Sequence, residues 1–279
     1  MAAADTPGAD QQERVNAYFD AEALYWQGVY DDPRLQGVIY RARQEAVLAA
    51  IDELGVAHGA AGLEIGSGAG LLTVELARRG HSVRAVDSSR AMAELTARRA
   101  DREGLGTVVD ARVADVHALP FEDGSFSLVV AVGLLPWLHE PGMALQEIAR
   151  VLRPGGDVVL TADNRARLSS WVDPRANVLL APIKRLRRRL RPRLEAGARS
   201  RLHFPSHVDS LARASGFQIR HRRTVGFGPF SFLGRPLLSD RAGIRLHYHL
   251  QALADRGVPL LRSTGWHYLV VARKRERSR

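Results

Sequence analysis

Three glycines alternate with small residues, the first of them two positions after an acid, in the run Leu63-Glu64-Ile65-Gly66-Ser67-Gly68-Ala69-Gly70. Between an apolar strand and a helix, such a run lets a ligand approach the backbone at a helix N-terminus. Asp87 follows Gly66 by twenty-one residues, at the end of the next apolar segment. A carboxylate there can accept hydrogen bonds from both ribose hydroxyls of a nucleoside. The glycines alone would also suit a tight turn. Together with Asp87 they point to a nucleoside site. The nicotinamide fingerprint G-x-G-x-x-G is not met, because Gly70 comes one residue early and Leu71 stands in the expected position.

The surrounding pattern supplies elements to hold these groups. Short apolar strands are expected at 62–66, 82–87, 108–114, 127–132 and 157–161, and helices at 70–79, 91–102 and 141–152. Ser127 to Val132 is apolar on both faces, as a central parallel strand should be. This alternation predicts an α/β fold: a Rossmann-like, mostly parallel sheet with helices on both faces. Residues 13–54 read as a helical cover rich in aromatics, and residues 1–12 as a disordered N-terminus. After residue 162 the rhythm breaks. Residues 163–205 and 226–264 read as two insertions forming a lid, around a helix at 206–215 and a strand at 217–225. A last strand at 266–273 precedes the basic tail 274–279. One domain over 13–273 is expected.

The order E-x-G-x-G-x-G, then Asp87-Ser88-Ser89-Arg90-Ala91-Met92, Ala114-Asp115-Val116 and Val151-Leu152-Arg153-Pro154-Gly155-Gly156, resembles the class I S-adenosylmethionine-dependent methyltransferases over about residues 60–162. The resemblance implies seven strands with the last antiparallel, and S-adenosylmethionine as cofactor. It implies that Glu64, Gly66, Ser67, Gly68 and Gly70 form the first motif, that Asp87 and Ser88 meet the ribose, and that Met92 lies against the adenine. Asp115 would meet the adenine amino group, with Val116 and Val132 nearby. Arg14 to Asp20 resembles the first helix of the quinone and porphyrin methyltransferase branch, which closes over the cofactor. Tyr18, Tyr25 and Trp26 are carried over on that basis, and Arg43 could pair with the methionyl carboxylate.

Methyl transfer needs no triad. The reaction is an in-line displacement, and positioning alone can contribute roughly 7–11 kcal/mol. A base helps only where the nucleophile carries a proton. No catalytic residue is assigned by the sequence; His139, Asn164 and Tyr25 are candidates. Where many relatives carry a His pair after the fourth strand, Pro136 and Trp137 stand here. Asp163-Asn164 occupies a position where catechol-type enzymes hold magnesium, but Ala131-Val132-Gly133 brings no carboxylate from the fourth strand, so no metal is expected. Trp26, Trp137, Phe227, Phe230 and Phe232 are candidate lid residues over an apolar small-molecule acceptor: a lipid, a quinone or an aromatic secondary metabolite.

Composition narrows the partners. The 279 residues are 46% hydrophobic and 25% charged, with net charge +10 and no cysteine. Disulfides, thiolate metal sites and cysteine nucleophiles are excluded. The charge is local: Lys184 to Arg201 holds nine basic residues against Glu195, and Arg273 to Arg279 five against Glu276, leaving the body near neutral. Ile183, Leu186, Leu190 and Leu194 recur at helical spacing among the arginines, which suits peripheral contact with an anionic membrane through Lys184–Arg201. A packed helix with a solvated basic face is the plainer alternative. Nucleic acid is disfavoured: the segment after the fourth strand lacks an Asn/Asp-Pro-Pro-aromatic motif, and basic charge alone gives only unspecific attraction. The N-terminus has no signal-peptide pattern, so a cytoplasmic protein is expected. Methylation of nucleic acid or protein, or cofactor binding without turnover, are the rival functions.

Overall fold

The computed structural model describes residues 7–177 and 200–276. A seven-stranded sheet organises them, in the order β3-β2-β1-β4-β5-β9-β6. The strands are β1 (Ala61–Ile65), β2 (Ser82–Asp87), β3 (Val109–Val113), β4 (Phe126–Ala131), β5 (Leu152–Asp163), β6 (Phe217–Val225) and β9 (His267–Lys274). A small hairpin, β7 (Ser231–Phe232) with β8 (Arg235–Pro236), stands apart. Every pairing from β3 to β5 is parallel, while β9 runs antiparallel to both β5 and β6. This is the topology the resemblance implied. The strand order reverses beside β1, where β2 lies on one side and β4 on the other, so the carboxyl ends of β1, β2 and β4 open onto a crevice suited to a ligand.

Helices cover both faces because the strands are apolar on both. Helix α6 (Pro141–Val151) and helix α8 (Pro205–Ala214) pack Leu145, Ile148, Val208 and Ala212 onto one face. The other face is covered by α3 (Leu35–Leu54), α4 (Leu71–Arg78) and α5 (Arg90–Arg102), through Val47, Ile51, Leu72, Leu76 and Ala100. Each fully buried aliphatic side chain contributes roughly 1.5–3 kcal/mol. Two cores back to back therefore hold the central strands rigid, and the loops at their ends inherit that rigidity.

The N-terminal cover is real but begins earlier than expected. Helix α1 spans Pro7–Ala21, inside the stretch read as disordered, and α2 (Ala23–Gly28) follows. Docking accounts for α1: Ser89 Oγ donates to Asp20 Oδ1, Gln12 Nε2 donates to Ser88 Oγ at 3.1 Å, and Tyr18 and Phe19 pack on Trp137. A composition poor in large apolar groups at residues 7–12 hides a helix whose partner lies elsewhere in the chain. Residues 1–6 lie outside the described residues.

The second insertion is also more regular than its sequence suggests. Helix α9 (Asp240–Asp255) packs against α3 and β6, capped by Ser239, whose Oγ accepts from Ala242 N. Of the first insertion, helix α7 (Ser169–Val172) and its flanks are described. Of the basic stretch Lys184–Arg201, residues 184–199 lie outside the described residues. No helix among the described residues is long and apolar enough to cross a membrane.

Candidate active site

One cavity of about 510 Å³ opens at the carboxyl ends of β1, β2, β4 and β5. It falls within the size range of small-molecule sites, roughly 300–1,000 Å³. Its two halves differ in origin.

The first half is built from strand ends close in sequence. Glu64, Gly66, Ser67 and Gly68 line it from β1, Asp87, Ser88 and Met92 from β2 and α5, and Asp115 and Val116 from the turn after β3. Gly70 caps α4 at φ +76°, where a Cβ would meet Thr96 Cα at 2.8 Å. Only glycine fits there, and α5 can therefore press against the loop. Gly70 thus shapes the cradle from behind and does not line the cavity.

Asp87 ties this half together. Its Oδ2 accepts from Gly68 N at 3.0 Å and its Oδ1 from Ser89 N at 2.9 Å. Burial still dominates and pushes its pKa up to about 6. Glu64 lies deeper, accepts a hydrogen bond from Thr73 Oγ1, and is pushed up to about 8 by burial. Exposed Asp115 accepts from His117 N at 2.9 Å, and the His117 ring lies 2.7 Å away; that hydrogen bond holds its carboxyl below the usual range.

The second half is aromatic. Tyr18, Phe19, Tyr25, Trp26, Tyr30, Tyr40, Trp137 and Trp266 all line it. Tyr18 stacks on Trp137 at 5.3 Å, and Trp26 meets Tyr40 edge-on at 5.9 Å. Arg43, buried from α3, stands between the halves. Its Nη2 donates to Tyr30 Oη at 2.8 Å, its guanidinium lies over the Tyr40 ring, and its Nε is enclosed without a partner. Gly133 makes room for it: at φ +71°, a Cβ there would approach Arg43 Nη1 to 3.1 Å. Arg43 Nη1 has no hydrogen-bond partner among the described residues, so a carboxylate from a ligand fits there well.

The remaining expected positions divide. Val132 lines the cavity. Tyr25 does too, with its hydroxyl accepting from Gln36 Nε2 at 3.1 Å. His139 is not among the residues that line the cavity: its ring meets His117 at 4.0 Å, tilted by 36°, beside Asp115. Asn164 is fully buried, and its amide donates to the carbonyls of Ser263 and Gly265. It fastens the end of β5 to the chain before β9, and it does not reach the cavity. The three phenylalanines of the second insertion also miss it. Phe227 is buried with Ala254 and Leu261, Phe230 is half-buried, and Phe232 is 48% exposed on the hairpin. Of the expected lid residues, Trp26 and Trp137 line the cavity and the three phenylalanines do not. Asp163, weighed from the sequence together with Asn164, lines the cavity from the end of β5; Arg167 and Trp266, which the sequence did not single out, line it from the turn after β5 and the approach to β9.

These residues fit S-adenosylmethionine. The Asp87 carboxylate offers lone pairs toward a ribose, Met92 and Val116 offer apolar surface to an adenine, and Arg43 offers an unpaired donor to the methionyl carboxylate. Residues 63–160 match the methyltransferase domain family. The methyltransferase GfsG of Streptomyces halstedii is 30% identical over 149 residues, 53% of this chain and 53% of that protein. The chain spans about half the length of the first curated relatives it matches. The magnesium protoporphyrin IX methyltransferase of Synechocystis PCC 6803, solved with bound S-adenosylhomocysteine, superposes with a TM-score of 0.64 at 16% identity, over 95% of this chain and 99% of that one. The [4+2]-cyclase SpnF superposes with a TM-score of 0.63 at 20% identity, over 94% of this chain and 95% of that one. At such identities the superpositions speak to the fold alone. The matched family, the sheet order and the cavity agree: residues 63–160 carry a methyltransferase domain, with S-adenosylmethionine as its cofactor.

Proposed function

We propose that the protein transfers a methyl group to an oxygen of an apolar small molecule. One observation carries this reading: the nucleoside cradle and the aromatic wall share a single cavity, with Arg43 at their junction. Bound S-adenosylmethionine supplies an electrophilic methyl group on a sulfonium. Asp87 and Arg43 would anchor the two ends of the cofactor, which sets the methyl's direction. Tyr18, Trp26 and Trp137 would exclude water and hold a planar or apolar acceptor in line. Positioning of this kind supplies much of the rate.

The test is release of S-adenosylhomocysteine on mixing the protein with S-adenosylmethionine and hydroxylated aromatic or polyprenyl acceptors. Acceptor-dependent release with a methyl ether as product supports the reading. An acceptor that is transformed with no S-adenosylhomocysteine formed would place the protein with non-transferring users of this fold.

Peripheral membrane contact through Lys184–Arg201 stays part of the proposal on charge and spacing alone. Co-sedimentation with vesicles containing an anionic lipid, lost when Arg187, Arg188, Arg189 and Arg191 are neutralised, tests it. Equal sedimentation of the neutralised variant removes it.

A further inference from the structure

At the far end of the aromatic half, β5 ends in Asp163 and β9 begins at His267, and the two are directly paired across the strands. His267 Nδ1 lies 3.1 Å from Asp163 Oδ1. The ring is 2% exposed and lies between Tyr40 and Trp266, with centroids 5.8 Å from each. Burial holds the imidazole below its ordinary pKa, so the ring is neutral and its Nδ1–H donates to the carboxylate. Burial pushes the Asp163 carboxyl up, but the His267 hydrogen bond and the charges of Arg43 and Arg167 outweigh it and keep the group ionised. Arg167 also lines the cavity. Its guanidinium lies 5.2 Å from the Trp266 ring centroid, and its Nε donates to Ser170 Oγ at 3.1 Å. Its terminal nitrogens have no hydrogen-bond partner among the described residues, and it forms no ion pair with Asp163 there.

The wall thus presents an anionic acceptor, cationic donors and flat apolar surface. A ligand group that satisfies both kinds of polar atom must donate and accept, as a hydroxyl does. An ammonium group would meet the Arg167 guanidinium beside a carboxylate that already accepts from His267. We infer that Asp163 accepts the proton of a planar acceptor's phenolic hydroxyl while Arg167 steadies its oxygen, with His267 as the residue that positions Asp163. This rests on the methyl-transfer reading above.

The step balances. The hydroxyl oxygen forms a bond to the methyl carbon with one of its electron pairs, the carbon–sulfur bond breaks with its electrons going to sulfur, and the hydroxyl proton passes to Asp163. The oxygen becomes strongly acidic as the new bond forms, so a carboxylate of low basicity suffices.

The test uses 1-naphthol, 1-naphthylmethylamine, which is an ammonium ion at neutral pH, and naphthalene as probes. Calorimetry should show 1-naphthol binding to protein loaded with S-adenosylhomocysteine more tightly than naphthalene does. Methylation should follow for the naphthol and not for the amine. Asp163→Asn should lower kcat about 10²-fold or more, the usual range for losing a positioned base, with S-adenosylhomocysteine affinity unchanged. Its rate should then climb with pH toward the phenol's own ionisation near 10, because a phenolate needs no base; the wild-type rate should not. His267→Asn keeps an N–H toward Asp163 and should retain more of kcat than His267→Ala, again with cofactor affinity unchanged. Asp163→Asn within about threefold of wild type, methylation of the amine instead, or no naphthol binding to the loaded protein each overturns the inference while leaving the cofactor reading intact. Failure of S-adenosylhomocysteine itself to bind overturns the reading beneath it.

Discussion

Replacing Asp87 by alanine removes two things at once. The carboxylate is the acceptor offered to a ribose, and it also holds Gly68 N and Ser89 N, which shape the cradle. Hydrogen bonds to a charged group are worth roughly 1.5–3 kcal/mol each. Two lost ribose contacts therefore cost about 3 kcal/mol or more, at least about 100-fold in Kd, since 1.4 kcal/mol is tenfold. Titrating S-adenosylhomocysteine calorimetrically into wild type and Asp87→Ala measures this, and circular dichroism establishes that the variant is folded. A folded Asp87→Ala protein that binds within about threefold of wild type would refute the nucleoside assignment.

Four further outcomes are expected. Asp87 titrates near 6 in the free protein, and a ribose favours the carboxylate; S-adenosylhomocysteine Kd should rise about tenfold per pH unit below that value and flatten above it. The same raised pKa means that the unfolded chain releases this proton first, so Asp87 costs the free protein stability as pH rises from 3.8 through about 6, a loss Asp87→Asn should abolish in urea melts at different pH. Arg43→Met should weaken S-adenosylhomocysteine about tenfold or more while leaving adenosine affinity nearly unchanged, because only the former carries a carboxylate; equal losses for both would mean that Arg43 acts on the fold. Gly70→Ala forces a left-handed residue against Thr96 Cα, at about 1–2 kcal/mol for the backbone alone, and should lower Tm by several degrees in calorimetry, where an unchanged Tm would show that the loop can relax.

The cofactor half was legible because it is local. Each group sits at or just after a strand end, and the spacing from Glu64 to Asp87 spans a single βαβ unit. The acceptor half was legible only in part: Tyr18, Tyr25, Trp26 and Trp137 were expected, whereas Tyr40, Asp163, Arg167 and Trp266 meet only through the sheet order, which brings β9 beside β5. The Asp163–His267 pair spans 104 residues and follows from antiparallel register, which the sequence does not reveal. The phenylalanine-rich loop misled for the same reason: aromatics among glycines can pack on any nearby helix, and Phe227 found Ala254 and Leu261. Helix α9 lay inside the stretch 226–264 read as an insertion, and its packing on α3 depends on Gly243, where a Cβ would lie 2.9 Å from Leu35 Cδ2. Asn164 looked chemical because it is polar at a strand end, yet its amide is consumed by two backbone carbonyls.

A crystal structure grown with S-adenosylhomocysteine tests the placement of the cofactor most directly. The ribose hydroxyls should lie within hydrogen-bonding distance of Asp87, the adenine beside Met92 and Val116, and the carboxylate at Arg43, leaving the sulfur facing the aromatic wall and Asp163. A nucleoside held elsewhere, or a carboxylate turned away from Arg43, contradicts the assignment.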